Sequence, residues 1–247
     1  MAKTLKKALT MLQLLASKPD QTHSLGWISK QLKIHPSSCV YLLNTLVESG
    51  FVDQESARKG YALGPMIHYL AAQGPYRQDL VSAAEPVMET LAGQLQQTLV
   101  LAKLHHGSRI ILTVVDGNRE IRIRRESLFR DTVLDTATGQ LLVAHLPASE
   151  QAAYRSGSTP FSDSRMAAIL KQGGATYEPP GSMFVQVAVP VYRGAAVTAA
   201  LGVSMPKVGF TGKQQRLLIA QLRAAAGEIE ERWDAIALNT TITRSPA

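Results

Sequence analysis

The chain has 247 residues, longer than one ordinary domain, and its 45% hydrophobic content is too high for a disordered chain. Twenty-six basic against 19 acidic side chains give a formal net charge of +7, a bias toward an anionic partner or surface. One cysteine excludes a disulfide framework or a Cys-rich metal centre, and no run of about 18 apolar residues offers a membrane span.

The N-terminus is basic and then apolar, but no small-residue cleavage site follows it. Leu5, Leu9, Leu12 and Ala16 recur at helical spacing, so an amphipathic helix is predicted over about Thr4 to Ser17. Ser24 can cap a second helix with Leu25, Ile28 and Leu32 on its apolar side. After Lys33-Ile34-His35, Pro36 and Ser37 open a third helix that buries Val40, Leu43, Leu46 and Val47 and stops at Gly50. Phe51-Val52-Asp53 reads as a strand, residues 57–60 as a tip and Tyr61-Ala62-Leu63 as the returning strand. Two short helices, a tight turn and a basic-tipped hairpin form a winged helix-turn-helix pattern. Residues 1–75 hold eight basic and four acidic side chains, more than half of the excess charge in under a third of the length. The helix stop Gln73-Gly74-Pro75-Tyr76 closes this unit, which gives expected domains of 1–75 and 76–247.

In the second unit, Leu80, Ala83, Ala84, Val87, Met88, Leu91 and Leu95 mark a long helix with Pro86 as its bend. Strands are predicted over Thr98–Leu104, Arg109–Val115 and Glu120–Arg124, then helices from Gly139 and over about Ser164 to Lys171. Two further strands, Met183–Tyr192 and Ala196–Met205, face each other across Arg193-Gly194, and a helix from about Lys213 to Leu238 follows. Strands grouped centrally with helices around them indicate an α+β fold, with an antiparallel sheet flanked by helices.

Several residues carry candidate chemistry. Ser37, Ser38, Tyr41 and Asn44 face away from the apolar stripe of the third helix, where they can reach phosphates or base edges. Arg58 and Lys59 at the hairpin tip suit the DNA backbone or minor groove, and Ser24 joins the expected DNA-binding set. Cys39 lies four residues after His35, but two ligands make no zinc site, so Cys39 reads as a small buried residue. The adjacent His105 and His106 would point to opposite faces of a strand. Ser204 and Lys207 fit S-x-x-K on paper, yet Pro206 opposes the helix that motif needs. Arg122, Arg124, Arg125 and Arg130 read as a solvated strand face balanced by Glu120, Glu126 and Asp131. Gly139 opens a helix whose free N–H groups and dipole favour an anion, with the hydroxyls of Thr136 and Thr138 beside it. No catalytic set and no metal or cofactor site is expected.

Three blocks carry a resemblance. The first runs from Ser24-Leu25 through Ile28, Leu32, Ser37-Ser38, Leu42-Leu43 and Thr45-Leu46 to Gly50-Phe51-Val52 and Gly60-Tyr61-Ala62-Leu63-Gly64. The second is Thr136-Ala137-Thr138-Gly139-Gln140-Leu141-Leu142-Val143-Ala144. The third runs from Gly174-Ala175 through Glu178 and Gly181 to Val187-Ala188-Val189-Pro190-Val191 and Ser204-Met205-Pro206. In order and spacing they resemble the IclR-type bacterial transcriptional regulators. The chain departs from that pattern at Lys33, where a Gly is usual, so the second helix is expected to close without a left-handed residue. It departs again at Val40-Tyr41 and at Gln186, where a Cys is frequent.

The resemblance implies a cytoplasmic, homodimeric regulator, or a pair of dimers, that binds a pseudo-palindromic double-stranded DNA operator. It implies a GAF-like effector domain in which Thr136, Thr138, Gly139, Glu178, Gln186 and Ser204 line a pocket for a small organic or aromatic acid. The rival is an enzyme on the C-terminal domain with a DNA-binding tether, against which stands the lack of a visible nucleophile–base set.

Overall fold

A computed structural model describes residues 3–17, 21–56, 60–73, 78–117, 133–154 and 161–243. These fall into two compact units, 3–73 and 78–243. The predicted strand at 120–124, the arginines from 122 to 130, and Arg58 and Lys59 lie outside the described residues.

The first unit has α1 (Lys3–Ala16), α2 (Leu25–Leu32), α3 (Pro36–Glu48), the antiparallel hairpin β1 (Val52–Ser56) and β2 (Gly60–Leu63), and α4 (Met66–Gln73). Met11, Leu14 and Leu15 of α1, Ile28 of α2, Cys39, Leu42 and Leu43 of α3, Val52 and Tyr61 form its core. The side buried on α3 is therefore turned toward Cys39 and Leu42, while Val40, Leu46 and Val47 are only half-buried. Each fully buried aliphatic side chain contributes roughly 1.5–3 kcal/mol.

The turn between α2 and α3 corrects an expectation. Lys33 itself adopts the left-handed conformation, φ +53° and ψ +44°. Its N–H donates to Lys30 O and that of Ile34 to Ser29 O, so two otherwise orphaned carbonyls are satisfied in exchange for the strain of a Cβ at positive φ.

The second unit is built on an antiparallel five-stranded sheet in the order β4-β3-β7-β6-β5. The strands are β3 (Leu99–His105), β4 (Ser108–Val115), β5 (Ala175–Tyr177), β6 (Phe184–Arg193) and β7 (Ala196–Pro206). Alternation along each strand separates two faces. Leu99, Leu101, Val187, Val189, Val191, Leu201 and Val203 pack against α5 (Gln78–Leu95) and α9 (Gly212–Thr243). Helix α5 continues through Pro86, two turns from either end. Ala175, Ala188 and Ala200 on the other face pack beneath α6 (Ala137–Ala144) and α8 (Asp163–Gln172), with the short α7 (Ala148–Gln151) between them in sequence.

This second face is deliberately shallow. A Cβ on Gly202 would lie 2.6 Å from Thr138 Cγ2, so the missing side chain is what lets α6 settle onto the sheet. Every residue of α6 is buried, Thr138 and Gln140 included. The histidine pair departs from its expectation, because His106 leaves β3 into a turn at φ +47° and the two rings meet edge to face at 4.2 Å.

Candidate functional site

The outward face of α3 follows from how its inward face is held. Ser37, Ser38 and Asn44 are exposed and Tyr41 is 70% exposed, opposite the buried Cys39, Leu42 and Leu43. Ser24 is the N-cap of α2, its hydroxyl accepting the Trp27 N–H at 3.2 Å. His35 caps α3 with its ring, 2.8 Å from Ser37 Oγ, so the Ser37 hydroxyl is already engaged. Burial pushes the Cys39 thiol above its ordinary pKa, and the His35 ring lies outside the helix that carries Cys39. Among the described residues, no group of three or more His, Cys, Asp or Glu side chains could hold a metal.

In the second unit Thr136, Thr138, Gly139 and Gln186 meet at the N-terminus of α6, with Ser204 beside Gln186 on the sheet, whereas Glu178 does not join them. Thr136 is the N-cap, and its hydroxyl accepts the Gly139 N–H at 3.1 Å. The Ala137 N–H donates to Gln186 Oε1 at 3.1 Å, which joins the helix to β6. Gln186 pairs with Ser204 of β7 on one side and Tyr177 of β5 on the other. Glu178 follows Tyr177 and forms a 2.6 Å ion pair with Lys207, both side chains about half-exposed. The S-x-x-K pair is thereby accounted for, since Lys207 is engaged by Glu178 and Ser204 lies in a strand.

One expectation is corrected at this point. The Gly139 N–H is not free for an anion, because Thr136 caps it, and Gly139 is buried. A Cβ there would run into the Val133 carbonyl and sit 2.8 Å from Thr136 Oγ1, so this glycine is required by packing.

Sequence reasoning missed two cations on this face. Arg109 of β4 donates to Thr138 Oγ1 at 3.4 Å, bringing a guanidinium to the positive end of α6. Arg165 of α8 donates to Gln140 Oε1 and to the Thr176 carbonyl, while Gln140 Nε2 donates to Leu134 O. Alternation on β4 places Arg109 on the α6 face, opposite Leu104, but no local signal tells which partner it meets.

Residues 4–56 match the IclR helix-turn-helix domain, and residues 75–231 match the bacterial transcriptional regulator IclR C-terminal domain. The chain belongs to the IclR family. It is 24% identical over 219 residues to the HTH-type transcriptional regulator KdgR of Dickeya chrysanthemi, covering 83% of this chain and 72% of the relative. It is 27% identical over 141 residues to the regulator TtgV of Pseudomonas putida, covering 57% and 53%. An IclR regulator structure from Alicyclobacillus acidocaldarius superposes with a TM-score of 0.68 at 21% identity, covering 94% of this chain and 99% of that one. An IclR homologue from Microbacterium hydrocarbonoxydans complexed with 4-hydroxybenzoate also reaches 0.68, at 19% identity, covering 94% and 100%. This IclR chain is thus a transcriptional regulator with a helix-turn-helix DNA-binding domain and a ligand-binding C-terminal domain. Among the described residues, no helix is long and apolar enough to cross a membrane.

Proposed function

We propose that this IclR regulator binds a pseudo-palindromic operator as a dimer and releases or gains affinity when a small organic acid binds beside α6. The observation that carries the DNA half is the exposed Tyr41 on a helix whose opposite side is locked into the core. Tyr41 and Asn44 supply base-edge contacts, while Ser38 supplies phosphate contacts, with Arg58 and Lys59 on the flanking backbone. Leu5 and Leu9 of α1 are 60% and 51% exposed, an apolar stripe that a second copy would cover.

For the effector, Arg109 brings positive charge beside the first turn of α6, whose Ala137 and Gly139 N–H groups are already capped, and the Gln186 Nε2 and Ser204 hydroxyl add donors. A carboxylate fits that set, and the IclR homologue from Microbacterium hydrocarbonoxydans is complexed with such an acid, 4-hydroxybenzoate. A ligand that binds one conformation better shifts the population of DNA-competent dimers by its differential affinity.

The test uses a duplex selected by the full-length protein from a randomised library, with 4-hydroxybenzoate as the first probe. Tyr41→Ala should flatten discrimination between selected and scrambled duplexes, and Ser204→Ala should weaken acid binding by about 0.5–1.5 kcal/mol in calorimetry. Undiminished discrimination in the first variant would remove Tyr41 from base readout. Unchanged affinity in the second, with the acid bound, would place the ligand elsewhere. Mass analysis of the recovered acid should show it chemically unaltered, since an altered product would make the domain an enzyme.

A further inference from the structure

A cleft of about 370 Å³ opens between α1 and the start of α3, lined by Thr4, Lys7, Ser37, Ser38, Tyr41 and Leu42. Thr4 and Lys7 are three residues apart on α1 and so share one helix face. Both are exposed, as are Ser37, Ser38 and Tyr41 on the other wall. Among the described residues the lining is one ammonium, three aliphatic hydroxyls and a phenol over a single leucine. Among the described residues no acidic one lines it, and neither α1 nor α3 has an acidic residue in its first turn. Among the described residues, no carboxylate forms an ion pair with Lys7.

A cleft lined by an ammonium and hydroxyl donors, with no carboxylate among its described lining, suits an anion whose charge is spread over several oxygens. Its position narrows the choice of anion. Tyr41 forms one wall of the cleft and also belongs to the outward face of α3, so whatever fills the cleft lies against the same surface that meets the major groove. The strand flanking that groove presents phosphodiester oxygens to a helix edge.

We infer that this cleft is a phosphate seat: Lys7 and Thr4 of α1, together with Ser38 of α3, clamp one backbone phosphate of the operator and set the depth at which α3 lies in the groove. The inference rests on α3 being the DNA-reading helix, and assigns to α1 a contact that the recognition-helix pattern does not contain. Lys7 acts as a point charge and Ser38 and Thr4 as hydrogen-bond donors, so the contact carries register but no sequence information. Ser37 takes a lesser part, because its hydroxyl is held by the His35 ring.

The experiment is a salt titration of full-length protein on two fluorescent duplexes, one selected and one scrambled, comparing wild type with Lys7→Gln, Lys7→Arg and Lys171→Gln. Losing one phosphate contact lowers the slope of log K against log salt by about 0.9 per protomer. Between 50 and 200 mM salt, wild type should therefore lose about 3.5-fold more affinity per protomer than Lys7→Gln, equally on both duplexes. Lys7→Arg should restore the slope, and Lys171→Gln, exposed in the last turn of α8, should leave it unchanged. An unaltered slope in Lys7→Gln, with Tyr41→Ala still losing discrimination, would overturn the phosphate seat and leave the reading of α3 standing. A Lys7→Gln loss confined to the selected duplex would overturn it too, by making Lys7 a base-reading residue. If wild type bound neither duplex, the reading of α3 and the phosphate seat would fall together.

Discussion

Gly139 separates a packing role from a ligand-contact role in a single substitution. It lies in the first turn of α6, with its N–H donated to Thr136 Oγ1. Replacing it with Ala would ordinarily stabilise a helix by up to about 1 kcal/mol. Here the added methyl has no room: it would meet the Val133 carbonyl carbon at 2.7 Å and Thr136 Oγ1 at 2.8 Å. Overpacking against a backbone carbonyl costs roughly 1–3 kcal/mol, and displacing the Thr136 cap costs about 1 kcal/mol more. The net expectation is a loss of about 2 kcal/mol, or a Tm lower by roughly 4–8 °C for a unit of this size. Gly93→Ala is the matched control, since Gly93 lies in α5 with nothing within 4 Å of an added Cβ. It should raise the Tm by a few degrees at most. Thermal unfolding followed by circular dichroism, without ligand, reads both. A Gly139→Ala protein as stable as wild type would refute the packing argument. If it also failed to bind the acid, Gly139 would revert to a ligand contact.

Two other expectations follow from buried groups. Trp233 is fully buried, donates its Nε1–H to Asp79 Oδ2 at 2.6 Å and lies under the Arg193 guanidinium at 4.6 Å, so Trp233→Phe should cost about 2–3 kcal/mol and several degrees of Tm; a shift under 2 °C would mean that solvent replaces the bond. The Cys39 thiol is fully buried and its pKa is raised by that burial, so less thiolate is present at neutral pH than for a free cysteine. Native protein should therefore react with a thiol reagent at pH 8 far more slowly than unfolded protein, and equal rates would show that the α3 core opens readily.

Much of the architecture was legible from the chain alone. Periodicity of 3.6 or 2 identified α2, α3, the wing strands, β3, β4, β6, β7 and α9, because each buries one face and so writes its period into the residues. Helix α1 is placed by Leu5, Leu9, Leu12 and Ala16, yet it buries Met11, Leu14 and Leu15 and leaves Leu5 and Leu9 exposed. That the buried side of α3 turns toward Cys39 and Leu42 is seen only in the structure, although Cys39 was readable as a small buried residue because it and His35 alone make no zinc site. The edge strand β5 was not, since three residues, Ala175–Tyr177, are too few for a period to show. Lys33 could not be read either: its left-handed turn is held by Ser29 and Lys30 carbonyls, which a Gly rule does not register.

The candidate effector site divides the same way. Thr136 and Thr138 stand out in the sequence as hydroxyls beside Gly139, whereas Glu178, Gln186 and Ser204 enter the candidate set only through the family resemblance. Which hydrogen bonds they make depended on tertiary structure, because the partners are far apart in the chain. Gln186 reaches back 49 positions to cap Ala137, and Arg109 crosses 29 to meet Thr138. An N-terminal N–H looks free on a helix considered alone. Here the local cap Thr136 takes the Gly139 N–H, and Gln186, carried on the sheet beneath, takes the Ala137 N–H.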